Sequence, residues 1–140
     1  YIRVNRKTGR ITETYTTFVR PYRLERLHSV HGKLESAPLA KDVATKLETA
    51  FADTVVIGYN MFSTIGSIVA MGYIAGVPLD VRMFDVYEEM DRGHREPLSI
   101  DIQQTACSFG YQKHSDNQLL DNCYACEFLL RQLIHYHKNI

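Results

Sequence analysis

The sequence predicts an α/β domain in which a mixed sheet is covered by helices, and three observations lead there. Residues 1–19 alternate in the manner of a strand pair, a short apolar run at 54–59 suits a buried strand, and apolar residues recur at helical spacing in three later stretches. Read along the chain, the order is β-β-α-β-α-β-α-α. A chain of 140 residues fits one domain, 1–140, with a substantial core.

Taken in order, Tyr1-Ile2-Arg3-Val4 alternates, Arg6-Lys7-Thr8-Gly9 supplies a turn, and Ile11 to Val19 is rich in Thr, Tyr and Phe. Pro21 ends that second strand because it cannot donate to a ladder. Residues 20–37 lack periodicity and read as a loop. Ser36 is placed to cap a helix with Pro38 in its first turn, and Val43, Leu47, Ala50 and Phe51 carry the helical spacing to about Ala52. Thr54 to Tyr59 is the buried strand. Asn60 can cap the next helix, where Ile65, Val69, Gly72 and Tyr73 share a face, and Gly76 and Pro78 close it. Leu79 to Val86 reads as a strand, followed by a polar loop through Glu96. Pro97 or Ser99 starts a helix that ends near Gly110. The last helix, from about Asn117 to His137, has the clearest stripe: Leu119, Cys123, Cys126, Leu130 and Leu133.

Composition narrows the possibilities. No apolar run approaches the roughly 20 residues of a membrane helix and no signal-peptide pattern opens the sequence, so a cytosolic protein with no membrane partner is the default expectation. The formal net charge is 0, so nucleic-acid binding would depend on local patches or on metal ions in a site. Arg20, Tyr22, Arg23 and Arg26 form one such patch, diluted by Glu25, against the simpler reading of a solvated loop. Cys107, Cys123 and Cys126 are an odd number and do not suggest a disulfide framework. Cys123-x-x-Cys126 with His135 and His137 invites a zinc reading. On one helix, however, Cys126 and His137 lie roughly 16 Å apart along the axis, whereas zinc ligands stand about 2 Å from the metal. No structural zinc is expected.

Several patterns fall in a familiar order. Val4-Asn5-x-x-Thr8-Gly9-x-Ile11-x-Glu13, then His31-Gly32 followed by Glu35 and Ala37-Pro38, then Gly58-Tyr59-Asn60-x-Phe62, Phe84-Asp85, Phe109-Gly110 and Leu120-Asp121-Asn122-x-x-Ala125 span nearly the whole chain. Together they resemble the DnaQ-like (DEDD-type) family of 3′-5′ exonuclease domains. The resemblance implies a ribonuclease H-like mixed β-sheet flanked by helices. It also implies nucleic acid as partner, as single-stranded 3′ ends, and a place in a larger replication, repair or CRISPR-type assembly.

Family chemistry needs four carboxylates holding two divalent metals, magnesium or manganese, which activate a water and steady the leaving 3′ oxygen. A His or Tyr serves as general base. By the resemblance, Asp121 is the metal ligand of the third motif, His31 and Asn60 lie near the terminal nucleotide, and His114 is the nearest substitute for the catalytic histidine. The pattern departs from the family at three points. The chain begins at what resembles the second strand, so the central first strand with its Asp-x-Glu is apparently lacking. The second-motif Asp falls near Ser63 or Thr64, and the third-motif histidine position holds Asp116. A missing central strand would leave two unpaired sheet edges, so an earlier start or a strand from another chain is expected.

Each candidate also has a plainer reading. Asp121 suits a helix start in any protein, His31 a turn, Asn60 a helix cap, and His114 a solvated loop. Asp85 is expected to be structural. Three readings stay open: a 3′-5′ exonuclease impaired in the chain as given, a degenerate exonuclease fold that binds nucleic acid or docks a partner, or a different α/β domain whose likeness to the family is accidental.

Overall fold

Asn5 closes the turn predicted at residues 6–9: its side-chain oxygen accepts from the N–H of Lys7 (2.9 Å) and of Thr8 (3.1 Å). Gly9 follows with φ +67°, a conformation that a β-carbon would strain. The strands so joined are β1 (Ile2–Val4) and β2 (Ile11–Thr14), antiparallel, with an irregular register between Arg3 and Val4. The second strand is shorter than the expected Ile11 to Val19. The computed structural model describes residues 1–20, 34–93 and 97–138. His31 and most of the basic stretch at 20–26 therefore lie outside the described residues.

The remaining elements are α1 (Ala40–Phe51), β3 (Val56–Gly58), α2 (Phe62–Ile74), β4 (Met83–Asp85), α3 (Val86–Gly93), α4 (Ile102–Ser108) and α5 (Gln118–Lys138). The fold is mixed α/β. β3 pairs with β4, and an isolated parallel bridge joins Arg20 to Leu39. The chain divides into two compact units, one of Tyr1–Thr16, Ile57–Met61 and Phe84–Ile140, the other of Thr17–Val56 and Phe62–Met83.

In the second of these units α1 packs on α2, burying Ala40, Val43, Ala44, Leu47 and Ala50 from α1. Helix α1 starts later than Ser36 and Pro38 suggest. Leu39 holds its N-cap position in an extended conformation with no side-chain cap bond, and the Pro38 carbonyl accepts instead from the Arg20 N–H (2.9 Å). Helix α2 buries Ile65 and Gly72 but leaves Tyr73 79% exposed, against the expected shared face. Gly72 is required by close approach: a β-carbon there would stand 2.6 Å from the Val77 carbonyl oxygen and 2.9 Å from Leu79 Cγ. Gly76, at φ +76°, closes the helix as predicted, and the Val77 N–H returns to the Gly72 carbonyl (2.9 Å).

In the other unit α3 and α4 both pack on α5. Its core joins Val86 and Met90 of α3, Ala106 of α4, Tyr111, and Ala125, Cys126, Leu129 and Leu133 of α5. Helix α3 stands where a polar loop was expected. Two apolar residues four apart, Val86 and Met90, suffice to bury one face, and Asp85 starts the helix by accepting from the Tyr87 N–H (3.0 Å). Asp101, rather than Pro97 or Ser99, caps α4, with its carboxylate accepting from Gln103 N (2.8 Å) and Gln104 N (3.2 Å). Asn117 caps α5 by accepting from Leu119 N and Leu120 N. The α5 stripe is rotated from the expected one: Leu119 is 63% exposed, and positions 121, 125, 129 and 133 point inward. Asp121 thus occupies a core position. Among the described residues no helix is long and apolar enough to cross a membrane.

Candidate functional site

Asp121 sits in the first turn of α5, where a negative charge is favoured by the exposed N–H groups of the helix start. It is only 1% exposed. A buried carboxylate is costly unless its oxygens are satisfied, and here both are. Oδ1 accepts from the Tyr111 hydroxyl (2.9 Å), His114 N–H (2.8 Å) and Ser115 N–H (3.0 Å). Oδ2 accepts from the Gln103 amide (2.9 Å). Burial by itself raises the Asp121 pKa, but the bonds from His114, Tyr111, Ser115 and Gln103 outweigh it and hold the carboxyl below its ordinary range. The same pair pushes Tyr111 up, by burial first and by its bond to the Asp121 charge second, so its hydroxyl stays a donor.

From Asp121 the network continues outward. Gln103 Nε2 also donates to Asn122 Oδ1 (2.9 Å), and Gln118 Nε2 donates to that same oxygen (3.0 Å). These side chains line an open groove of about 800 Å³ between α4 and the start of α5, with Ile100, Asp101, Ile102, Cys107 and Lys113 completing its walls.

The sequence-derived candidates fall in separate places. His114 and Asp121 do come together, but through the His114 main-chain N–H. The His114 ring is exposed and lies beside Tyr111 and Tyr124, with centroids 5.4 and 5.9 Å away. Asn60 is exposed, has φ +48°, and donates its N–H to Asp85 Oδ1 (2.9 Å). Its N–H and that of Met61 are held by the Asp85 carboxylate just before α2. Ser63 and Thr64 are exposed on α2. Among the described residues no group of three or more His, Cys, Asp or Glu side chains is placed to hold a metal ion. Among the described residues the carboxylates on this groove are Asp121, which already accepts from four protein donors, and Asp101, which caps α4.

Gln103, Gln118, Asn122 and Tyr111 were not anticipated as site residues. Asn122 follows Asp121 directly, but Gln103 lies 18 residues earlier and nothing local marks it. Comparison with protein-family models, with curated proteins and with solved structures finds no match.

Proposed function

We propose that this chain is a DnaQ-like exonuclease-family domain, ribonuclease H-like in fold, that holds single-stranded nucleic acid ends without cutting them. The order of its sequence motifs supports the family. So does the pairing of strands, β1 with β2 and β3 with β4.

The observation that carries the non-hydrolytic reading is the state of Asp121. A metal ligand needs free lone pairs facing a cavity, and this carboxylate spends its own on Tyr111, His114, Ser115 and Gln103. Alongside Asp121 and Asp101, the groove is lined by the amides of Gln103, Gln118 and Asn122, with Lys113 beside them. Neutral hydrogen-bonding groups with an adjacent cation suit recognition of a nucleotide better than its hydrolysis. The rival reading, magnesium- or manganese-dependent 3′-5′ cleavage, would require other carboxylates.

The test uses 5′-labelled single-stranded DNA and RNA oligonucleotides with the full chain, in magnesium, in manganese and in EDTA. Binding in all three conditions, weakening as salt rises, with no shortened products, is expected. A ladder of shortened products that needs the metal and is lost in Asp121→Asn would overturn the reading in favour of a nuclease. Absence of binding would overturn it outright.

A further inference from the structure

Helix α2 is 13 residues long and carries no charged side chain. One side of it packs, with Ile65 and Gly72 buried. The other side is open: Phe62 is 62% exposed, Tyr73 79% and Ile74 67%, and Ser63, Gly66 and Ala70 lie exposed between them. At about 3.6 residues per turn, Phe62, Gly66, Ala70 and Tyr73 fall on one stripe along the helix. The two glycines of α2 differ in what they do for the fold. A β-carbon at Gly72 would collide with the Val77 carbonyl oxygen, whereas one at Gly66 would meet nothing within 4 Å. Gly66 stands in the helix interior, where glycine is less favourable than any residue except proline. Nothing packed on it within the chain offsets that cost. What such a glycine provides is room for another backbone to come close.

We propose that two copies of this chain pair through α2, antiparallel about a two-fold axis near Gly66 and Ala70. The order along the stripe (large, small, small, large) is the same from either end. Phe62 of each copy therefore lies against Tyr73 of the other, and the small residues at the crossing let the two backbones approach. The lack of charge favours a copy of the same face as occupant. No group on it repels its own image, and a charged partner would find nothing to pair with. The area agrees with this. At about 200 Å² for each aromatic side chain, Phe62 and Tyr73 leave roughly 280 Å² open. With Ile74 and the small residues the face reaches roughly 550 Å², so a pair would bury roughly 1,100 Å² in all, the low end for specific interfaces. That is the size of a weak, reversible dimer.

Sedimentation velocity on the full chain, without nucleic acid, should show monomer passing to dimer with a Kd on the order of 10–100 μM. Tyr73→Glu, which puts a charge on the face, should remain monomeric throughout. Leu119→Glu, on an exposed residue of α5, should dimerise like the wild type. Gly66→Ala gives the sharpest contrast, because the added methyl improves the helix and obstructs the approach. It should raise the thermal midpoint at concentrations where the protein is monomeric, yet weaken the dimer about tenfold. A monomer at every concentration gives the face to another occupant, a further segment of a longer chain or a different protein, and overturns the self-pairing. A dimer unchanged by Tyr73→Glu, or weakened as much by Leu119→Glu, overturns it too. A Gly66→Ala dimer as tight as the wild type removes the close approach on which the pairing depends.

Discussion

Asp85 and Asp121 are both buried carboxylates beside helix starts, and they do different work. Asp85 takes all of its bonds from the main chain: Asn60 N–H and Tyr87 N–H at Oδ1, Met61 N–H at Oδ2. It ties the chain before α2 to the start of α3, and its influence ends at the backbone. Asp121 takes two main-chain donors and two side-chain donors, and through Gln103 it sets the orientation of atoms that reach solvent. A buried charge that binds only backbone fixes a fold, whereas one that binds side chains can also set the chemistry of a surface.

Substitution separates the two. Asp121→Ala strands a buried hydroxyl, an amide and two N–H groups, and should cost about 3–5 kcal/mol in urea denaturation. Asp85→Ala strands three N–H groups nearer to water and should cost about 2–3 kcal/mol. The contrast is broken if Asp85→Ala proves the more damaging, or if it impairs oligonucleotide binding in conditions where the protein remains folded.

Acid offers a finer cut. The Asp121 carboxyl is depressed in the folded protein, so its contribution to stability is present above the unfolded value of about 4 and is lost as pH falls through the lower folded value. Urea midpoints measured from pH 7 down to 3 should therefore drop for the wild-type protein below about pH 4. Asp121→Asn, less stable at neutral pH, should lose less over the same interval. Equal slopes would mean that other carboxylates govern acid unfolding.

The smallest expected effect on stability bears most directly on the groove. Gln103→Met keeps the side chain's length and removes its amide, leaving Asp121 with three of its four donors. The cost should be about 1 kcal/mol, with oligonucleotide affinity reduced several-fold because Asn122 and Gln118 lose their fixed orientation. Unchanged affinity would cut the link between Asp121 and the groove.

What could be read from the sequence was mostly local. The turn at residues 6–9, the end of α2 at Gly76 and the α5 boundaries each depend on a few neighbouring residues, whereas Asp121 was singled out by family resemblance and for a metal-binding role rather than for its hydrogen bonds. Helix α3 escaped because its eight residues carry only two inward positions and its cap, Asp85, also looks like a strand end. The facing of α5 escaped because Asp121 in a core position runs against hydrophobic periodicity, and only Tyr111, Gln103 and the 114–115 backbone make that burial tolerable. Gln103 was invisible for the same reason: its role exists only once α4 lies against α5.

Arg131 of α5 donates to the Gly9 carbonyl at 3.0 Å, a bond between groups 122 residues apart in sequence. The β1–β2 hairpin can close early, since its own contacts are local, yet two short strands alone are marginal in water. Its anchor is made only after the final helix has been synthesised. During translation the first element of this chain to form is thus among the last to be secured, and its amide protons should gain exchange protection together with α5 rather than with the turn that builds them.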